Sequence, residues 1–415
     1  GFIKVITGIR RCGKSYLLNT LFYNHLKSEN IAEDHIIKFA FDTAQDLLKI
    51  GEDPLILDNE KEDRKVDPSK FLKWLMPQIN GDEMYYLLLD EVQKLGAFES
   101  VLNGFLRNSN VDVYVTGSNS RFLSKDILTE FEGRGDEVHI LPLSFSEYYA
   151  FIQGDKSEAY DDYSVYGGLP AVALMTTEEQ KTTYLISQMK NVYLRDIILR
   201  YSVQDEAALG EVMDVIASGI STLTNPRKIA STMNSVHGTT TCDTTVDKYI
   251  GYAEEAFILT RVKRYNVKGR KYIGTPYKIY FEDIGLRNAR LAFRQIEGTH
   301  IMENIIYNEL RFRGYQVDVG TVESRERDAG GKEVRIQREI DFIATLGSKK
   351  YYIQSAYAIP DKEKYEQETM SFERTTDSFK KIIIVEKSMK PRYDENGYLM
   401  MGVKEFLLDA NSLLV

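Results

Sequence analysis

GFIKVITGIRRCGKSYLLNTLF, residues 1–22, is the stretch on which the fold turns. A mostly apolar run, Ile3 to Ile6, breaks into GIRRCGKS, after which Tyr16, Leu17, Leu18, Leu21 and Phe22 recur at helical spacing. Gly8, Gly13, Lys14 and Ser15 fit the pattern G-x-x-x-x-G-K-S/T. Each position has a chemical reason. Glycines let successive backbone N–H groups curl around an anion, the lysine reaches the outer phosphates, and the hydroxyl takes a place on magnesium, all at a helix N-terminus. The spacing predicts a phosphate-binding loop of Gly8, Ile9, Arg10, Arg11, Cys12, Gly13, Lys14, Ser15 and Tyr16 between a strand over 2–7 and a helix over 14–28. The alternative is a glycine turn that merely joins a strand to a helix.

Hydrolysis needs partners for such a loop, and MYYLLLDE, residues 84–91, supplies them. An apolar strand delivers Asp90 and Glu91 at its C-terminal end, the edge where ligands sit in parallel sheets. Asp90 is expected to hold magnesium, together with Ser15, and Glu91 to polarise the attacking water. The strand in VDVYVTGSNS (111–120) ends in Ser118 and Asn119, which either orient water near the γ-phosphate or cap a helix beginning near Arg121. Arg134, in FEGRGDE, is either a group that stabilises charge on the γ-phosphoryl group, from its own subunit or across a subunit contact, or an ordinary surface arginine.

Composition narrows the rest. At 415 residues the chain has room for two or three domains. A formal charge of -9 gives no global basic field to draw it to nucleic acid or an anionic membrane, so any DNA contact must be local. Two cysteines, Cys12 and Cys242, are too few for a disulfide framework and fit a reducing cytoplasm. No apolar run approaches the ~20 residues of a membrane span. The sequence opens on Gly1 directly before the first strand, without an initiator methionine, and no signal peptide is visible in it.

Strands and helices alternate from 1 to 150, which argues a parallel sheet wrapped by helices and an α/β first domain. Residues 51–70 are charged, contain two prolines and read as a surface insertion or mobile loop. A second domain is expected over 151–285, mostly helical and closed by strands RVKRYNV and YKIYFED. A third is expected over 286–415: helix 302–314, strands near 315–320, 335–345 and 350–357, a helix after Pro360 and strand 380–387.

TGIRRCGKS, LLLDEVQ, TGSNSRFLS, Gly133–Arg134 and PLSFSEYY (142–149) follow one another as in a large group of prokaryotic AAA-type ATPases, which this chain resembles. The resemblance continues through YGGLPAV (166–172), YFEDIGLRNA (280–289), MENIIYNELRFRGY (302–315), REIDFIA (338–344) and YYIQSAY (351–357). It implies ATP and Mg2+ as ligands, catalytic roles for Glu91, Asn119 and Arg134, and no particular physiological task.

Two further resemblances concern the C-terminal part. NPRKIASTMNS, then a helix from TCDTTVDKYIGYAEEAFIL, then two strands, is similar to a winged helix, whose second helix enters a DNA groove. The hairpin 261–272 carries Arg261, Lys263, Arg264, Lys268, Arg270 and Lys271, either a basic wing on DNA phosphates or a solvated edge that discourages strand pairing. A protein partner is the other use of such a module. The remainder resembles a PD-(D/E)xK nuclease, with Glu303 on the helix and Asp341 on a strand as a vestigial magnesium site. Gln354 and Ala356 stand where a carboxylate and a lysine belong, so this domain is expected to be an inactive core kept for binding.

Overall fold

In the computed structural model, residues 2–57, 64–117, 135–238, 240–327 and 333–414 are described. They fall into two compact units. The first spans Gly1–Leu141 with Ile197–Ser202 and Glu255–Phe257; the second holds the rest of the chain from Pro142 onward.

The first unit is built on strands β1 (Ile3–Thr7), β2 (Ile36–Ala40), β3 (Tyr85–Asp90), β4 (Val111–Thr116) and β5 (Gly135–His139). They lie in the order β2-β3-β4-β1-β5, every neighbouring pair parallel. Both faces of this sheet are covered, which explains the unbroken LLL of β3. Leu87 and Leu89 join one core with Phe39, Phe41, Phe71 and Val113, while Leu88 faces the other with Ile6, Leu18 and Leu26. The helix after the loop runs through Lys14–Tyr16, a π-helical turn Leu17–Phe22 and Tyr23–Ser28.

The segment expected to be an insertion over 51–70 is tied down at its C-terminal end. Val66 is buried and bridges Leu95, and the carboxylate of Asp67 caps helix Pro68–Leu75 by accepting from the Ser69 amide at 2.8 Å. Residues 58–63 lie outside the described residues.

In the second unit, helices Glu206–Ser218, Pro226–His237 and Asp243–Glu255 precede β6 (Leu259–Asn266) and β7 (Lys271–Phe281). Helix Gly298–Phe312 follows, then β8 (Gln316–Arg327), β9 (Glu333–Leu346), β10 (Lys349–Ala356), helix Lys362–Glu373 and β11 (Lys380–Val385). With β12 (Arg392–Tyr393) and β13 (Leu399–Gly402) these strands form one mixed sheet, β12-β13-β11-β10-β9-β8-β6-β7. The boundary expected at 285 runs through this sheet. Arg264, Tyr265 and Asn266 of β6 pair with Val319, Gly320 and Thr321 of β8, so the basic hairpin is built into the sheet on its β6 side.

The repeated glycines of YGGLP and FEDIG have a steric origin. Asp283 is buried, accepts from the amides of Gly168 at 2.8 Å and Leu286 at 2.9 Å, and so ties the turn to the start of helix Ile284–Arg290. A Cβ on Gly285 would lie 2.0 Å from the Tyr166 carbonyl oxygen, and one on Gly168 2.2 Å from that of Leu143. Neither backbone can yield locally. Gly285→Ala is expected to destabilise the second unit by roughly 3 kcal/mol, at the upper end of overpacking effects. Thermal unfolding checks this; an unchanged melting temperature would reject the interlock.

Candidate functional site

Gly8 to Ser15 leave the C-terminal end of β1 and enter the helix at Lys14. Gly8 has φ 139° and Gly13 φ 106°, backbone that favours glycine. Space makes the same demand at Gly8, where a Cβ would meet the Ile140 carbonyl oxygen at 2.1 Å. Cys12 is buried against the loop, and its amide closes a turn on the Ile9 carbonyl at 3.4 Å. Lys14 is only 5% exposed, and its Nζ donates to the Gly8 and Ile9 carbonyls, each at 2.9 Å. An ammonium has three protons. Two hold it inside the loop, which leaves one for an outer phosphate. Ser15 and Tyr16 are exposed on the first helical turn.

Asp90 ends β3, with β4 between it and β1. Its carboxylate is buried and accepts from the Thr116 hydroxyl on one oxygen and from Asn19 Nδ2 at 3.2 Å on the other. Thr116, fully buried at the end of β4, also accepts from the Glu91 amide at 3.0 Å. One hydroxyl thus fixes both acidic residues. Glu91 takes the left-handed conformation, φ 52°, which is uncommon and strained for a non-glycine residue. Burial pushes its carboxyl above the ordinary range, and the charge of Lys14 opposes that rise.

Asp42, two residues beyond β2, completes the acidic edge. Loss of solvent around its carboxyl raises its pKa, the neighbouring charge of Asp90 raises it further, and Lys94 and Arg10 counter both. Thr116, Asn19 and Asp42 were absent from the sequence reading. The only signal for them was polar residues at strand ends and Asn19 one helical turn after Ser15. Ser118, Asn119 and Arg134 lie outside the described residues.

Magnesium fits the pair assigned to it. The Ser15 hydroxyl is exposed, and Asp90 keeps a carboxylate preorganised by Thr116 and Asn19, the oxygen donors a hard cation takes when it arrives with phosphates.

In the second unit, Glu303 and Asp341 do meet, around a residue the sequence reading passed over. Lys278 of β7 is 3% exposed, and its Nζ lies 2.7 Å from Glu303, 2.7 Å from Glu339 and 3.2 Å from Asp341. The Tyr280 hydroxyl donates to Glu303 at 2.6 Å, and the Ser355 amide to Asp341 at 2.9 Å. Asn304 locks the helix of Glu303 to β7 by bonding the Phe281 amide and carbonyl, each at 2.8 Å. The cluster therefore gathers three carboxylates, from helix Gly298–Phe312 and β9, around a lysine of β7, while Gln354 and Ala356 of β10 supply neither a carboxylate nor a lysine. Gln354 bonds instead to Glu368 at 3.2 Å. Burial raises the pKa of Glu303 to about 7 against the pull of Lys278. Burial alone would lower that of Lys278, but Glu303, Asp341 and Glu339 hold it well above its usual value.

Three of the six hairpin cations have internal partners, exposed Lys268 among them through the Glu323 carbonyl at 3.1 Å. Arg261 bonds Glu254 at 2.7 Å and Asp247 at 2.5 Å, and buried Arg264 donates to the Pro276 carbonyl at 2.9 Å. Lys263, Lys268, Arg270 and Lys271 are exposed. Helix Asp243–Glu255, expected to enter a DNA groove, carries Asp243, Asp247, Glu254 and Glu255 against Lys248, a charge balance that opposes phosphate.

A five-stranded parallel sheet with a phosphate loop after β1 and an acidic pair at the end of β3 defines a P-loop nucleotide-binding unit. Residues 1–149 match a family profile described as an AAA domain, and residues 157–297 one described as a domain of unknown function, DUF8612. An uncharacterized protein of Haemophilus influenzae is 33% identical over 413 residues, 98% of this chain and 94% of that protein. The chain belongs to the family of that protein, with an AAA domain as its N-terminal part. The uncharacterized protein MJ1544 of Methanocaldococcus jannaschii is 24% identical, covering 98% of this chain and 86% of its own. Among solved structures, the Walker-type ATPase PABY2304 of Pyrococcus abyssi aligns with a TM-score of 0.45 and 13% identity over 70% of this chain and 91% of its own. No helix among the described residues is long and apolar enough to cross a membrane.

Proposed function

We propose that the protein hydrolyses ATP to ADP and phosphate with magnesium, and that its nucleotide state governs what the second unit binds. One observation carries this reading: Lys14, Asp90 and Glu91 stand at the same edge of one parallel sheet, with Thr116 bonded to both acids. Lys14 neutralises the outer phosphates. Glu91 accepts the proton of the water that attacks the γ-phosphorus, and ADP departs. Magnesium, held by Ser15 and Asp90, supplies charge neutralisation on the phosphates. Asn119 is assigned the orientation of that water and Arg134 the γ-phosphoryl charge, both on the family resemblance. The proposed location is the cytoplasm, on the low cysteine count.

The pH profile tests the base. Glu91 acts only when ionised, and burial raises its pKa, so acid should switch the enzyme off earlier than an ordinary glutamate would. The acid limb of kcat/KM is expected above the ordinary value of ~4.3. A limb at or below that value would contradict the assignment.

Duplex DNA is a second reading for the second unit's partner, favoured by the four exposed hairpin cations and by the antiparallel pairing of Thr224 with Tyr277, a short strand contact before the helix pair as in a winged helix. Replacing Lys268, Arg270 and Lys271 by alanine should weaken duplex binding and flatten its salt slope by up to roughly three. Absence of salt-dependent DNA binding by the unaltered protein would leave a protein partner.

A further inference from the structure

The nuclease resemblance implies a divalent ion at the carboxylates of the second unit, and the residues do not fit one. The ammonium of Lys278 donates to Glu303 and Asp341 and forms an ion pair with Glu339 at 2.7 Å. Distances of 2.7–3.2 Å are those of N–H···O bonds. These carboxylates have further partners: the Glu303 oxygen that faces Lys278 also accepts from the Tyr280 hydroxyl, and the other oxygen of Asp341 accepts from the Ser355 amide. Among the described residues no group of three or more His, Cys, Asp or Glu side chains is arranged to hold a metal.

We propose that Lys278 is the resident cation of this carboxylate cage, standing where a divalent metal would bind, and that removing its ammonium opens the cage to such an ion. Three oxygens already face one point from β9 and helix Gly298–Phe312. With the side chain of Lys278 truncated, a contraction of at most ~1.2 Å brings them to the 2.0–2.6 Å of magnesium, manganese or calcium ligands. The buried hydroxyl of Ser355 has no hydrogen-bond partner, so the region keeps a spare oxygen beside the Asp341 cap. Truncation without a replacement cation leaves three carboxylates, two of them buried, repelling one another, which a folded chain tolerates poorly. Metal and lysine are therefore alternatives. The second unit holds its sheet and helix together with a covalently attached cation, independent of the metal supply.

The test uses the full chain without nucleotide and Mn2+ alone as probe. The unaltered protein and Lys278→Ala share the AAA site, so the difference between them reports the cage. Expected are no Mn2+ response of the second unit's melting in the unaltered protein, a lower melting temperature in Lys278→Ala, and a rise of about 5 °C in that variant at a hundredfold excess over its Kd. Spin-resonance titration should count one more Mn2+ in Lys278→Ala, lost again in Lys278→Ala/Glu303→Gln. An equal Mn2+ count in Lys278→Ala and the unaltered protein would overturn the proposal. Should Lys278→Ala fail to fold, Glu303→Gln in the otherwise unaltered chain decides: an unchanged Mn2+ count supports a closed cage, and the loss of one ion shows that metal enters beside Lys278 and refutes it.

Discussion

Lys14→Ala is expected to weaken ATP binding by about 100-fold or more, the scale of losing a charge-assisted hydrogen bond in a site that must still admit a polyanion. The ammonium is positioned before nucleotide arrives, because the Gly8 and Ile9 carbonyls hold it inside the loop. Its charge also restrains the rise of the Glu91 carboxyl. Without it Glu91 holds its proton to higher pH, so any residual turnover in the variant should shift its acid limb upward. Among the described residues the hydrogen bonds of Lys14 Nζ go to backbone carbonyls, and the fold should survive, as circular dichroism would show. Titration with a fluorescent ATP analogue reads the affinity; an unchanged value would remove the basis for the phosphate loop.

Glu91→Gln is expected to keep nucleotide and lose turnover by about 10²–10⁴-fold, the usual contribution of a general base. The substitution is isosteric, and the amide that donates to Thr116 is backbone, so the left-handed turn and the Asp90 position remain. Asp90 still offers its carboxylate to magnesium. Loss of binding along with turnover would recast Glu91 as a structural anchor, and equal turnover would reject its role outright.

Much of the first unit was legible because its chemistry is local. The loop needs glycines at fixed offsets, and a strand buried on both faces reads as an apolar run ending in Asp90. Thr116, Asn19 and Asp42 were not legible, since each reaches the acidic edge only through the strand order or a helical turn. The loop over 51–70 was misjudged at its end because Val66 finds its partner, Leu95, across a gap in sequence. In the second unit the lysine was sought on the strand after the acid. A lysine does reach these acids, but it is Lys278 of β7, more than 60 residues before Asp341, and it meets Glu303 and Asp341 only in space. Its one sequence signal was a lysine inside the apolar run YKIYF. The hairpin charges were visible, but the engagement of Arg261 and Arg264 by internal partners depends on packing no spacing encodes.

The most direct test is phosphate release from MgATP by the purified full chain, measured beside Lys14→Ala and Glu91→Gln at equal nucleotide occupancy where occupancy can be reached. The account predicts steady release by the unaltered protein, none above background with Lys14→Ala at moderate ATP, and bound but unhydrolysed ATP with Glu91→Gln. Release at the same rate from all three, or none from a chain that binds MgATP, would contradict it.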